Sequence, residues 1–222
     1  VRPIIADINV GILFVLAVGS CGIYAPLLGG LSSGNKWSLL GGARAALQFL
    51  SFEVITFLSL LAPLMLVGSL SLIDINSYQQ GGMLDWLIFK QPLAFGLFIV
   101  AAYVELNRTP FDLLEHEAEL TAGFASEYSG LKWGMFFIGE YANMFATAFI
   151  LSLIFCGGFN DWGIIPGGIA ILLKVCFFIF LFMWVRASFP HVRPDQLMRM
   201  CWKIMLPLGL LNVLLTGCIL LF

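Results

Sequence analysis

Glu53, Glu105, Glu140 and Lys174 stand within apolar runs or at their ends, where a charge is costly, and three of the four are carboxylates. A carboxylate in such surroundings can relay a proton, because burial narrows the free-energy gap between its charged and neutral forms. It would exchange that proton with neighbouring groups and internal water. A second set is denser. Six of the chain's 13 acids fall between Glu105 and Glu127, in and just beyond the stretch "VELNRTPFDLLEHEAEL". Asp112, Glu115 and Glu119 are spaced three and four apart, so a helix over residues 111–121 would carry them as one acidic stripe, with Glu117 off it. Pro110 suits the first turn of such a helix and Thr109 its cap. Like charges this close repel, so the stripe should protonate easily or find cations. Arg108 and the basic stretch "RASFPHVRPDQLMRMCWK" are the candidates. An ordinary solvated acidic loop is the plainer reading of the same residues.

The elements that must hold these groups are apolar and long. Of 222 residues, 11% are charged, against about a quarter in a soluble domain. The apolar runs are near-continuous and about 20 residues long, which reads as an all-α integral membrane protein. Six spans are expected, from about Asp7 to Gly30, Leu39 to Leu72, Leu84 to Asn107, Lys132 to Gly157, Gly163 to Val185 and Trp202 to Phe222. The second is longer than a bilayer needs, so it tilts, kinks near Pro63 or ends early. Pro63 and the glycine pairs read as ordinary kinks rather than as the broken helices of a transporter. The whole of 1–222 is one helical membrane domain, with an acidic loop over 108–131 and a basic loop over 186–203. No inverted repeat, low-complexity linker or separate soluble domain is apparent.

Six spans put both ends on one side. The connections after the first, third and fifth hold Lys36, Arg44, Arg108, Lys132, Arg186, Arg193, Arg199 and Lys203, whereas the other side holds Arg2 and Lys90. By the positive-inside rule the first set is cytoplasmic, and so is the acidic loop. The chain starts at Val1 with no basic region and cleavage site before its first apolar run, which reads as a trimmed start without a signal peptide.

Depth sharpens the charged residues. Glu53 lies about 14 residues into its span, roughly 21 Å along it and near mid-bilayer. Lys174 is about ten residues into the fifth span, and Glu140 about two turns into the fourth. Glu105 ends the third. Each such charge costs about 2.5–3.5 kcal/mol unless paired or hydrated. A polar path between helices is the reading preferred here; an interhelical pair that only fixes packing is the alternative. Arg44 precedes Glu53 by nine residues, half a turn out of phase, so the two cannot pair on one face. The five cysteines are scattered, with no CxxC, and there are two histidines. That pattern argues against a protein-built zinc or iron–sulfur site and for cysteines as small hydrophobes. Proton-coupled transporter, channel and energy-coupling subunit all remain open on these residues.

The loop "VELNRTPFDLLEHEAELTAGFASEYSG" strongly resembles the signature loop of the NuoH family, the quinone-site membrane subunit of respiratory complex I (NADH:quinone oxidoreductase). "DINVGILFVLAVGS", "LLGGARAALQFLSFEV" and "WVRASFPHVRPDQLMRMCWKIMLPL" resemble three further blocks of that family, in the same order, so the resemblance covers essentially the whole chain. It implies a fold of eight transmembrane helices, of which this chain matches the third to the eighth. The first helix, an amphipathic interfacial helix and the second helix would lie outside it.

The resemblance also implies roles. Glu105, Arg108, Asp112, Glu115, Glu117, Glu119 and Glu127 would line a narrow quinone tunnel facing the peripheral arm. Arg186, Arg193 and Asp195 would face it from the last cytoplasmic connection. Glu53 and Glu140 would lead a proton path toward antiporter-like subunits, with Arg44 at its cytoplasmic end and Lys174 as a further buried charge. His191 and Pro194 depart from the family's usual arginine and tyrosine and alter the electrostatics of that connection. Quinone would be the substrate, and no residue is expected to act as a catalytic group directly. FMN and iron–sulfur clusters would sit in partner subunits, with none on this chain, and the chain alone would be inactive. The implied partners are the peripheral quinone-site and terminal iron–sulfur subunits, the small membrane and antiporter-like subunits, and membrane lipid, but no nucleic acid. The implied location is a bacterial inner membrane, or a mitochondrial one, with both ends periplasmic. The donor binds elsewhere, so NADH, ferredoxin, flavodoxin and deazaflavin are all compatible. The homologous component of energy-converting hydrogenases and formate hydrogenlyase is the alternative; its loop typically lacks the PFDLxExExEL run and the EYSG that follow here. A stand-alone proton-coupled transporter is a more distant one.

Overall fold

The computed structural model describes residues 8–112, 123–160 and 166–221. Every regular element among them is helical. The first span is α1 (Gly11–Ser20), a 3₁₀ turn (Cys21–Ile23) and α2 (Tyr24–Ser32) run together. α3 (Lys36–Val67) follows, then α4 (Leu72–Tyr78), a 3₁₀ turn (Met83–Asp85), α5 (Leu87–Lys90) and α6 (Pro92–Glu105). The chain continues through α7 (Leu131–Phe155) and α8 (Gly167–Ser188) to α9 (Pro194–Met200). A π-helical stretch (Cys201–Met205) joins α9 to α10 (Leu206–Leu221). Among the described residues, five of these helical runs are long and apolar enough to cross a membrane, and α6 is a shorter apolar sixth.

Local chemistry sets the boundaries. Asn35 opens α3, its side chain accepting from the Trp37 N–H at 3.2 Å, as a polar cap should. Gly68 closes it in the left-handed conformation (φ 72°), its N–H returning to Leu64 O at 2.9 Å. α3 therefore ends before Leu72, where a separate helix starts behind a Ser71 cap. It runs 32 residues unbroken through Pro63, about 48 Å by helix rise, longer than the roughly 30 Å apolar thickness it must cross. The third span differs from the expected Leu84–Asn107. Pro92, which has no N–H to donate, starts a new helix of 14 residues. The last span begins earlier than Trp202, because Pro194 nucleates α9. Of the expected basic loop, residues 186–188 and 194–203 are therefore helix.

The pairs Gly29–Gly30 and Gly41–Gly42 are contact points rather than kinks. A Cβ on Gly30 would fall 2.6 Å from Ser38 O, and one on Gly42 would fall 2.8 Å from Pro26 O. The α2 and α3 backbones thus touch, as small residues permit between membrane helices. Gly42→Val is expected to force them apart at a cost of about 1–3 kcal/mol. The measurement is the amount of assembled complex on native gels and its thermal half-inactivation; unchanged values would refute the contact.

Two ends of the bundle are distinct. At one, residues 33–35, 106–112, 123–130 and 189–193 meet: Ser38 Oγ donates to Gly123 O and Phe124 O at 3.1 and 3.0 Å, and Val192 N–H to Pro110 O at 2.9 Å. This is the basic end. At the other, fully buried Gln79 ties α4, α5 and the end of α7 together. It donates to Ile154 O at 2.9 Å and accepts from Gly157 N at 2.9 Å and Leu87 N at 3.3 Å. Between the ends, α6 runs through the core. Phe155, Phe178 and Phe182 pack with its own Phe98 on one side of it. Phe52, Ile55, Leu197 and Met205 pack on the other.

A carboxylate-lined cavity at the basic end of the bundle

Three helices bring one glutamate each to a common space. α3 supplies Glu53, the last residue of α6 is Glu105 and α7 supplies Glu140, and all three line a cavity of about 610 Å³. A smaller continuation of about 350 Å³ shares Ser20, Glu53, Thr56 and Glu105 with it. Most of the lining is apolar, with Phe49, Phe98, Phe124 and Phe136 among the walls. The volume falls in the range of about 300–1,000 Å³ usual for small-molecule sites.

Each glutamate has a defined setting. Ser20 Oγ donates to Glu53 Oε1. Thr56, three residues after Glu53, lines the same cavity as Glu53 and Glu105, and its hydroxyl donates to Phe52 O at 3.1 Å. Glu140 pairs with Arg108, Nη2 to Oε2 at 3.5 Å, and the guanidinium lies 4.7 Å over the Tyr141 ring. Arg108 is 5% exposed, so this is a buried pair whose charges need each other. Asn143 and Thr147 follow Glu140 at helical spacing and continue a polar stripe along the cavity side of α7.

The start of the acidic loop is held rigidly. Gln48 on α3, 2% exposed, donates to Val104 O, Asn107 Oδ1 and Phe111 O at 3.2, 3.4 and 3.1 Å. Asn107 adopts φ 47°, a left-handed conformation that asparagine tolerates better than most residues. Phe111 N–H returns to Arg108 O at 2.9 Å. Residues 108–111 thus form a turn, not the first turn of a helix, and Thr109 and Pro110 lie within it. This corrects the expected helix start. Asp112 is half-buried at the edge of the described residues; Glu115, Glu117 and Glu119, with the stripe they would form, lie outside them. The loop's return is pinned to the α2–α3 turn, where Asn35 Nδ2 donates to Glu127 Oε1 at 3.2 Å and Tyr128 OH to Gly29 O at 3.1 Å.

The other expected residues are more dispersed. Arg186, Arg193 and Asp195 are exposed at the basic end, with Asp195 in the first turn of α9. There its charge favours the helix dipole. Their connection meets the acidic loop through the Val192–Pro110 backbone bond. Arg44 is exposed on α3, away from Glu53. Lys174 lies outside the cavity, near the opposite end, where its amine donates to Gly158 O at 3.0 Å and sits 4.8 Å from the Trp86 ring centre. Ser20, Gln48, Tyr141 and Asn143 escaped the sequence reading. Their signal was present as polar groups within apolar spans, but only formal charges were weighed.

The arrangement can hold an apolar ligand against carboxylates and can exchange protons among groups on three helices. A family model described as NADH dehydrogenase matches residues 1–217. An NADH-quinone oxidoreductase subunit of Helicobacter hepaticus is 92% identical over 222 residues, all of this chain and 67% of the relative. The corresponding NADH-quinone oxidoreductase subunits from Helicobacter acinonychis and Helicobacter pylori are 71% and 70% identical over 221 residues, again 67% of each relative.

Proposed function

The chain belongs to the NADH dehydrogenase family, and from that premise we propose that it is the membrane subunit of a quinone-reducing complex that guides quinone to the peripheral arm. The observation that carries this reading is the meeting of Glu53, Glu105 and Glu140, from three helices, on one largely apolar cavity beside the Arg108–Glu140 pair. The names of the relatives favour quinone over hydrogenase chemistry.

Quinone reduction takes up two electrons and two protons and gives quinol. The electrons come from an iron–sulfur subunit of the peripheral arm, and the quinone head binds at the junction with that arm. The cavity walls receive the apolar part of the quinone. Charge that develops on the head repels the nearest carboxylates and is attracted by Arg108. The carboxylates of the acidic loop, Asp112, Glu115, Glu117, Glu119 and Glu127, and Asp195 of the opposite connection answer by changing protonation, while Arg186 and Arg193 stay charged and bias them. Glu105, Glu53 and Glu140 pass that change sideways along the membrane toward antiporter-like subunits. Arg44 stands at the cytoplasmic end of this path. Lys174 serves the far end of the bundle. The complex sits in the inner membrane with the acidic loop cytoplasmic.

A photoreactive quinone carrying a long tail, applied to the intact complex, tests the site. Label is expected in peptides of α1 (Leu13–Ser20) or α7 (Phe136–Thr147), and excess unmodified quinone should remove it. Competed label confined to other helices would overturn the assignment.

A further inference from the structure

We propose that Leu60, Phe98, Leu151 and Phe155 form a dry layer that insulates the carboxylate cavity from the far end of the bundle, so that protons entering from the basic end do not cross the membrane through this chain. The deepest cavity residues on the three glutamate helices are Thr56 and Phe57 on α3, Phe98 on α6 and Ile150 on α7. Leu60, Leu151 and Phe155 come next toward the far end. None of the four layer residues is more than 2% exposed, and all belong to one apolar cluster, which Ile12 of α1 joins.

Contacts put these residues at one depth. A Cβ on Gly209 of α10 would meet Leu58 at 3.4 Å and Leu97 at 4.0 Å. Leu58 of α3 and Leu97 of α6 are therefore level, and Leu60 and Phe98 lie within about one helical turn of them. Rings bring in α7 and α8. Phe155 lies 5.7 Å from Phe98 and 5.4 Å from Phe95, and Phe178 lies 6.4 Å from Phe95. The layer also has depth. On α7 the last polar cavity residue is Thr147, and the next polar contact with another element is at Leu153 and Ile154, whose carbonyls accept from Gln79. That interval is about 9 Å of helix.

Hydroxyls bordering the layer turn back on their own helices. Thr147 Oγ1 donates to Asn143 O and Ser152 Oγ to Ala148 O, both at 2.8 Å, and Ser59 Oγ to Thr56 O at 2.7 Å. α6 carries no polar side chain between Gln91 and Tyr103, and the Tyr103 hydroxyl leaves toward α8, donating to Leu181 O at 2.9 Å. A proton travels along water or groups that can accept it. A close-packed apolar layer offers neither, since apolar sites stay dry and apolar constrictions exclude water. Beyond it a separate polar hub begins, with Gln79 and with Lys174 bonded to Gly158 O. A continuous polar column between the two ends would let protons run back across a charged membrane. The seal matters because the cavity exchanges protons, as proposed above, and it does not depend on quinone occupying that cavity.

Intact complex in sealed liposomes, given an imposed pH gradient and no NADH, tests the seal. Phe155→Asn and Leu60→Asn each place an amide that holds water in the layer. Both should speed passive collapse of the gradient severalfold per assembled complex, with potassium leak unchanged. Phe155→Ala, which leaves an apolar cavity, should stay tight. Two asparagine variants as tight as the wild type would overturn the proposal. So would a Phe155→Ala leak equal to that of Phe155→Asn, which would trace the effect to lost packing. The unaltered complex gives a second test that needs no variant to assemble. A density map that shows ordered water should place it no deeper than Thr56 and Thr147, and a file of water from Thr147 past Phe98 to Gln79 would sink the seal. Either negative result leaves the quinone reading standing, and failure of the photolabelling above would do the reverse.

Discussion

Arg108→Ala is expected to lower quinone reduction by the assembled complex about a hundredfold and to cut the amount of complex that assembles. Arg108 is nearly sealed from solvent, 3.5 Å from Glu140 and stacked over Tyr141. Removing Arg108 takes a cation away from Glu140, whose side chain is only 20% exposed, at a cost of up to about 3–5 kcal/mol. A hundredfold loss in rate corresponds to about 2.7 kcal/mol, so the rate effect lies well within what the pair can supply. Arg108→Lys should recover part of the loss, because an ammonium can pair with Glu140 but cannot also lie flat on the tyrosine ring. The double variant Arg108→Ala, Glu140→Gln separates two roles. Neutralising Glu140 as well should bring assembly back toward normal while activity stays low. Reductase rates normalised to complex on native gels provide the test, and a double variant that recovers both would show the pair to be structural.

The large features of the fold were legible because they follow from hydrophobicity alone. Long apolar runs must be helices in a bilayer, since only helices and closed barrels satisfy their backbone there. Boundaries were less legible where a proline intervened. Pro92 and Pro194 start helices, while Pro63 is absorbed within one. Composition does not distinguish these cases, because the outcome depends on what packs alongside. The glycine pairs were read as kinks, yet Gly30 and Gly42 are where two backbones touch. Pairwise contact between helices is a tertiary fact with no local period.

The candidate site shows the same division. Glu53, Glu105 and Glu140 stood out one by one as expensive charges, but their meeting in a single cavity depends on helix order and rotation. The spacing of Asp112 suggested a helix from residue 111, and the described residues turn there instead, held by Gln48. Lys174, equally expensive by sequence, reaches a carbonyl near the far end. Equal cost does not imply a shared path.

Glu53→Gln and Glu105→Gln should each lower turnover about a hundredfold, a typical scale for loss of a proton-transferring group. Glutamine keeps the size, and at position 53 it can still accept from Ser20, so helix packing should survive. It cannot take up or release a proton. The two glutamates share one wall of the cavity and its smaller continuation, and the proposed path uses them as one proton-exchanging unit. Residues that act as a unit are not additive when removed. The double variant should therefore be no slower than the slower single, within about threefold. Two independent steps would instead multiply to a loss of about ten-thousandfold. KM for quinone should change little in all three, since the loss falls on proton transfer rather than on tail binding. Steady-state kinetics on purified complex decide between these outcomes. A multiplicative double variant would place Glu53 and Glu105 on separate routes, leaving Ser20 to position Glu53 for a different proton from the one that Glu105 exchanges.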